Sequence, residues 1–323
     1  MSVYTTLTLQ EVQAFAAPYG LEVIDLIPIQ GGIQNTNYFI VCENAVQYVL
    51  TVFEEMDEQG AGELVPVLEH LGQAGLAVPV PLSHSGKAIH SLKDKPAQIA
   101  PRMMGKHPMP ATLEQAEAIA VAQAQMHVAL QDFPLERAEY RDHDYWLAVA
   151  LQMKPTLSEA DQALLNKLLG LYDALSAVYP NRPKGFIHSD LFRDNTLFEG
   201  NQLKGILDFY ELNKDEFLFD IAITLNDFCT EYPSVHLNED KAITFLNAYE
   251  SIRPLTTDEK SCLELYLAMA AARFWMMRLQ VAQKNAEQGR TGDDILQKNP
   301  AEMRNMVIDR LKFVVVFQKV CWH

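Results

Sequence analysis

Gly185-Phe186-Ile187-His188-Ser189-Asp190-Leu191-Phe192-Arg193-Asp194-Asn195, followed shortly by Gly205-Ile206-Leu207-Asp208-Phe209, decides how the rest of the chain is read. An apolar strand leads into His-x-Asp-x-x-x-x-Asn. Residues 195–199 and 202–207 then read as two strands joined by Gly200-Asn201, a two-residue hairpin turn signal. Folding that hairpin returns Asp208 to the side of Asn195. The combination suits phosphoryl transfer to a hydroxyl. Asp190 would orient the attacking hydroxyl and accept its proton, while Asn195 and Asp208 would hold the Mg2+ that neutralises a triphosphate. Magnesium prefers hard oxygen ligands, few of them from protein, and an amide oxygen plus a carboxylate meets that preference. A lone His-x-Asp carries little information; the strand, loop and hairpin context gives the set its weight.

Composition narrows the field. The chain has 323 residues, 49% of them hydrophobic and 21% charged, as in a soluble globular protein of one large bilobal unit or two domains. A formal net charge of −16 repels nucleic acid and anionic membranes, so neither is expected as a partner. The same charge repels ATP in bulk, so a nucleotide pocket must carry its own positive potential. Cys42, Cys229, Cys262 and Cys321 are scattered without metal-ligand spacing, which points to free thiols and a cytoplasmic location. The first residues show no basic-then-apolar secretion pattern, and the most apolar stretch, Leu265 to Ala272, is far too short to span a bilayer. Nothing in the sequence sets an oligomeric state.

Thr8-Leu-Gln-Glu11 is a capping box that opens a short helix, closed by Pro18 and Gly20. Residues 21–27, 36–41 and 46–53 read as three strands of an antiparallel meander. Residues 63–75 read as a helix ended by Gly72 and Gly75, residues 77–82 as extended, and 89–92 and 97–100 as two more strands. Gly105, Pro108 and Pro110 mark a linker. Thr112-Leu-Glu-Gln115 is a second capping box, opening a helix with apolar residues at helical period. Further helices are expected at 145–153, 159–178, 239–252, 257–287 and 300–320. The chain therefore reads as α+β with two lobes: residues 1–101 a small antiparallel sheet with a helix, 102–111 a hinge, and 112–323 a larger, mainly helical lobe holding the catalytic loop and acceptor site.

Between the first two strands, Gly31 and Gly32 let the backbone approach a ligand closely, and successive N–H groups in such a turn can cradle phosphate. Asp220, in an apolar run, needs partners and is expected to brace the catalytic loop, as is His188. His127, on an apolar helix, reads as a satisfied core histidine. Arg273 and Arg278 lie on an apolar helix, and arginine grips carboxylates with a two-pronged fork. Arg273 is the first candidate to hold an acceptor carboxylate, with a structural ion pair as the alternative. Glu211 or Asp215 could meet an ammonium group.

The catalytic loop and Ile206-Leu-Asp208-Phe resemble the aminoglycoside phosphotransferase/choline kinase group. More narrowly, Gly31-Gly-Ile-Gln-Asn35-Thr-Asn37-Tyr-Phe, Tyr48 to Glu54, the catalytic loop and Arg273-Phe-Trp-Met-Met-Arg278 together resemble the homoserine kinases of that fold. The resemblance runs nearly end to end. It implies a protein-kinase-like two-lobe fold, ATP and Mg2+ as cofactors, and L-homoserine as the small-molecule substrate, converted to O-phospho-L-homoserine on the way to threonine. It implies a nucleotide site at Gly31, Gly32, Asn35, Asn37, Glu63 and Met103, with Glu63 as the helix glutamate and Met103 in the hinge. Thr51 stands where kinases usually carry a third-strand lysine, so Lys106, Arg193 or the metal would have to supply that charge. Two alternatives stay open: another hydroxyl acceptor such as an amino alcohol, sugar or aminoglycoside, and a nucleotide-binding regulator without chemistry, for which Thr51 is the support.

Overall fold

The Thr8 hydroxyl accepts the Glu11 N–H while the Glu11 carboxylate accepts the Thr8 N–H, and this reciprocal cap starts helix α1, Leu9–Ala16. The computed structural model describes residues 5–29, 35–137, 141–287 and 298–320. Gly20 ends the following turn at φ +73°. Strands β1 (Val23–Pro28), β2 (Asn35–Cys42) and β3 (Gln47–Phe53) form the expected antiparallel meander. The sheet gains β4 (His90–Leu92) and β5 (Lys95–Pro101) in the order β1-β2-β3-β5-β4. Ile40, Leu50, Val52 and Ile99 are fully buried on it and form its core with Val12 of α1.

Between β3 and β4 lie a short helix absent from the sequence reading, α2 (Glu58–Gly62), and α3 (Val65–Gln73). Gly72 does not end α3 as expected. It lies within the helix, where an added Cβ would come within 2.6 Å of Val80 Cγ2, so it is there for close approach. Gly75, at φ +84°, is the residue that turns the chain out of the helix.

The helical part opens at the second capping box, Thr112 with Gln115, which starts α4 (Leu113–Leu130). Helices α5 (His143–Met153) and α6 (Glu159–Val178) follow. Strand β6 (Lys184–Ile187) leads into the catalytic loop. Strands β7 (Thr196–Glu199) and β8 (Gln202–Ile206) make the expected hairpin. Strand β9 (Asn213–Glu216) pairs antiparallel with β6, Ile187 opposite Asn213 and Gly185 opposite Asp215. Helix α7 (Phe217–Phe228) comes next, then the small ladder β10 (Thr230–Glu231) and β11 (His236–Leu237), and finally α8 (Glu239–Glu250), α9 (Thr257–Glu287) and α10 (Pro300–Val320).

Every residue of α7 is buried. A helix enclosed on all sides has no polar face, and without one the 3.6-residue period disappears from the sequence. That is why this segment read as an apolar run. The chain divides into two compact units, Met1–Lys106 with Lys204–Leu207, and His107–Leu203 with Asp208–His323. Cys42, Cys229 and Cys262 are free and buried, and no helix among the described residues is long and apolar enough to cross a membrane.

Gly185 lets β6 meet the first residue of α7: a Cβ there would lie 2.3 Å from the Phe217 ring, with the Gln131 backbone at 3.3 Å behind it. Gly185→Ala should therefore destabilise the protein by about 3 kcal/mol through overpacking. Urea denaturation would read this as a lower midpoint at unchanged slope; a midpoint equal to wild type would mean that Phe217 can yield.

Candidate active site

Asp220, in the first turn of α7, has no exposure at all. Its Oδ1 accepts the Ser189 N–H at 2.7 Å and its Oδ2 accepts the His188 N–H at 3.3 Å. Gln123 Nε2 donates to Oδ2 at 3.0 Å, and His127 Nε2 lies 2.9 Å from it. Behind His127 the chain continues outward. Its Nδ1 lies 2.6 Å from the Tyr249 hydroxyl, to which Arg253 Nη1 donates at 3.3 Å, and Arg253 pairs with Glu259 at 2.9 Å. Burial holds His127 below its ordinary pKa, and a neutral ring donating from Nε2 and accepting at Nδ1 suits both partners. Burial by itself would push the Asp220 carboxyl up, but the donors around it, His127 first, hold it below the ordinary carboxylate range.

Those two amide bonds set the loop that follows. Ser189 sits at φ +67°, a conformation that costs a non-glycine residue about 1–2 kcal/mol, and Asp220 grips it by its own N–H. Asp190 N donates to His188 Nδ1 at 3.3 Å. Asn195 Nδ2 donates to the Asp190 backbone oxygen at 2.8 Å and to its Oδ2 at 2.9 Å. Arg193 is tied to Asp227 by its backbone N–H at 2.7 Å and its side-chain Nε at 2.9 Å. The guanidinium of Arg193 thus helps to hold the loop through Asp227.

Desolvation, and then the negative charge of Asp208, push the half-buried Asp190 carboxyl up to about 8. Asp208 itself stands at φ +61°. Two mutually repelling carboxylates call for a cation. Because Asn195 turns its Nδ2 to Asp190, its Oδ1 is left as an oxygen donor. Among the described residues no cluster of three or more His, Cys, Asp or Glu could hold a metal by itself. Asn195 and Asp208 therefore supply the kind of sparse oxygen set that fits Mg2+ shared with phosphate and water.

Arg273, on α9, is 2% exposed and lies over the rings of Phe219 and Phe274 at 5.6 and 5.4 Å. Its Nε has no hydrogen-bond partner. Burial lowers its pKa while Glu211, Asp190 and Asp215 pull the other way. Arg278, by contrast, is bound to Glu302 at 3.0 Å. Asp215 is buried on β9, and burial raises its carboxyl to about 6. Glu211 takes Arg141 Nη1 at 2.6 Å.

The second unit thus gathers His188, Asp190, Asn195, Asp208, Asp220 and Arg273. In the first unit, Asn37 on β2 accepts the Thr51 hydroxyl at 2.7 Å, so the position expected for lysine belongs to a neutral pair. Asn35 is buried opposite Phe53, and Glu63 is half-buried at the end of α2. Met103 packs on Gly205, where an added Cβ would lie 3.0 Å from Met103 Cβ. Gly31 and Gly32 lie outside the described residues. The sequence reading missed Asp227 and Asn213. Asp227 follows Asp220 by seven residues, two helical turns on the same face, a signal legible once α7 is recognised as a helix.

A family model described as "Phosphotransferase enzyme family" matches residues 25–255. A homoserine kinase of Methylobacillus flagellatus is 36% identical over 286 residues, covering 86% of this chain and 87% of that protein. A homoserine kinase of Pseudomonas aeruginosa is 35% identical over 312 residues, covering 96% of each. Among solved structures, an amicoumacin kinase in complex with AMP-PNP, Ca2+ and Ami has a TM-score of 0.65 at 16% identity over 95% of this chain and 92% of that one. A spectinomycin phosphotransferase in complex with ADP and spectinomycin has a TM-score of 0.64 at 13% identity over 94% of each. At those identities the structures share the fold: an antiparallel sheet followed by a larger helical part.

Asp220→Ala leaves the Ser189 and His127 N–H groups buried without an acceptor and should cost about 3–5 kcal/mol, read as a fall in thermal midpoint; a loss under 1 kcal/mol would show that the loop holds itself. Asp215 supplies a test by pH. Its carboxyl titrates near 6 when folded and near 3.8 when unfolded, so folding is penalised above about pH 6 and not below about pH 4. Asp215→Asn should then raise the stability of the ligand-free protein at pH 8 by on the order of 2 kcal/mol, with the gain gone at pH 4. A gain independent of pH would refute the burial argument.

Proposed function

This chain belongs to the phosphotransferase enzyme family, and we propose that it moves the γ-phosphoryl group of ATP onto the hydroxyl of L-homoserine, giving ADP and O-phospho-L-homoserine. It is an ATP-dependent phosphotransferase with an alcohol acceptor. Homoserine kinases about 35% identical over nearly the whole chain support the acceptor. The observation that carries it in this molecule is Arg273, a buried guanidinium with an unpartnered Nε whose charge is felt by Asp190 and Asp215. An amino acid carries a carboxylate that such a group can grip. A polycationic aminoglycoside has no carboxylate for that guanidinium to hold.

Asp190 holds the homoserine hydroxyl and takes its proton as the oxygen attacks phosphorus in line. Burial favours the neutral form of Asp190 and so makes its carboxylate a stronger base than that of an ordinary aspartate. Because the loop is pinned by Asp220 and Asp227, the aspartate needs no reorganisation at the moment of transfer. Asn195 and Asp208 would hold Mg2+, which when bound neutralises charge on the phosphates. Arg273 fixes the carboxylate of the acceptor. For the nucleotide we assign Gly31, Gly32, Asn35, Asn37, Glu63 and Met103, within a nucleotide lobe of residues 1–101 followed by a linker at 102–111 and an acceptor lobe at 112–323. The acidic composition and free thiols favour a cytoplasmic enzyme without nucleic-acid or membrane partners.

A coupled ADP-release assay with L-homoserine, choline, hydroxylysine and kanamycin tests the reading. Turnover should be highest with L-homoserine, and Asp190→Asn should lower kcat by about 100- to 10,000-fold. Equal or better turnover with choline or kanamycin would refute the acceptor, and a near-normal rate in Asp190→Asn would remove that residue from the chemistry.

A further inference from the structure

Asn213 lies on β9 opposite Ile187 and is 1% exposed, yet neither end of its amide meets a partner. A buried polar group left unpaired costs about 1–3 kcal/mol, so two such atoms on one side chain require an explanation. Among the described residues eight buried side-chain atoms lack partners, and four of them belong to Glu211, Asn213 and Arg273. Asp215, two residues along the strand, shares the face of Asn213. One of its oxygens takes the neighbouring Glu216 N–H at 2.8 Å, and its nearest cationic influences are Arg273 and Lys184 rather than a bonded partner. A cavity of about 270 Å³ lined by Phe192, Arg193 and Asp194 of the same loop differs in kind: Arg193 is matched with Asp227, Arg278 with Glu302 and Lys298 with Asp194. Half of the unmet hydrogen-bonding capacity of the described residues lies on Glu211, Asn213 and Arg273.

An α-amino acid presents an ammonium and a carboxylate on one carbon. An asparagine amide offers an acceptor to the first and a donor to the second while carrying no charge of its own. We propose that Asn213 is a specificity-determining residue that reads the adjacent ammonium and carboxylate of the acceptor, with Asp215 completing the ammonium site and Arg273 the carboxylate site. This rests on L-homoserine being the acceptor. It makes the enzyme selective for an amino acid over a hydroxy acid or amino alcohol of the same length. A site built to pair a polar group rejects the analogue that lacks it, because its own buried atoms are then left bare.

The test measures kcat/KM for L-homoserine, 4-hydroxybutyrate (no amine) and 3-aminopropan-1-ol (no carboxylate) in the wild type, Asn213→Ala, Asn213→Ser and Asp215→Asn. In the wild type L-homoserine should exceed both analogues by about 100-fold or more. In each variant the ratio of L-homoserine to 4-hydroxybutyrate should fall by about 10- to 100-fold, chiefly through KM. Asp215→Asn keeps the shape of the side chain and an acceptor for the Glu216 N–H, and thermal midpoints measured beside kcat/KM separate lost recognition from lost folding. Ratios unchanged in all three variants, or losses equal for every acceptor, would overturn the proposal while leaving the homoserine reading intact. A wild-type enzyme that ignores L-homoserine but turns over another alcohol would overturn both.

Discussion

A single buried carboxylate organises the catalytic half of this protein. Asp220 is enclosed on α7, and taking such a charge out of water costs several kcal/mol unless donors surround it. Two of those donors are consecutive backbone N–H groups of the loop, so the carboxylate is satisfied when His188 and Ser189 adopt one particular geometry. The left-handed backbone of Ser189 is held by that demand. Asp190 is the next residue, and its position is a consequence. On the far side the same carboxylate orders His127, Tyr249, Arg253 and Glu259 into a directed chain from α9 to the loop.

The second anchor lies on the same helix two turns later. Asp227 takes the Arg193 backbone and guanidinium together, so α7 grips the loop before and after Asp190. Asn195 then ties the loop's end back to Asp190. Full burial of α7 makes this grip stiff, because a helix packed on every side has nowhere to move. Gly185 is part of the same arrangement, for it lets β6 lie against Phe217 at the head of that helix.

Stability is conceded along β9 and at Arg273. Arg273 is buried without a partner on Nε, Asn213 without partners on either end, and Asp215 with a carboxyl that prefers to stay protonated. Each of these opposes folding. The catalytic pair shows the same tendency, since Asp208 raises Asp190 by simple repulsion. A cation and a phosphate-bearing substrate would relieve that repulsion.

Local signals were read correctly wherever a few neighbouring residues decide the outcome. The capping boxes at Thr8 and Thr112 and the Gly200-Asn201 hairpin turn depend on contacts a few residues apart, the antiparallel meander and the long C-terminal helices on short turns and continuous patterning, and all are present. The spacing of Asp190, Asn195 and Asp208 belongs to the same class, because one loop and one hairpin deliver them. Tertiary structure decided the rest. Helix α7 has no polar side to reveal its period, and β9, written Asn-Lys-Asp-Glu, looks nothing like a strand until β6 pairs with it. Gly72 reads as a helix end and is instead a point of contact with Val80. The partner of Arg193 is Asp227, 34 residues away, which no local pattern announces. Which charges are spoken for and which stand unanswered depends on residues distant in sequence, so chain composition determined the chemistry available while packing determined which atoms remain to meet a substrate.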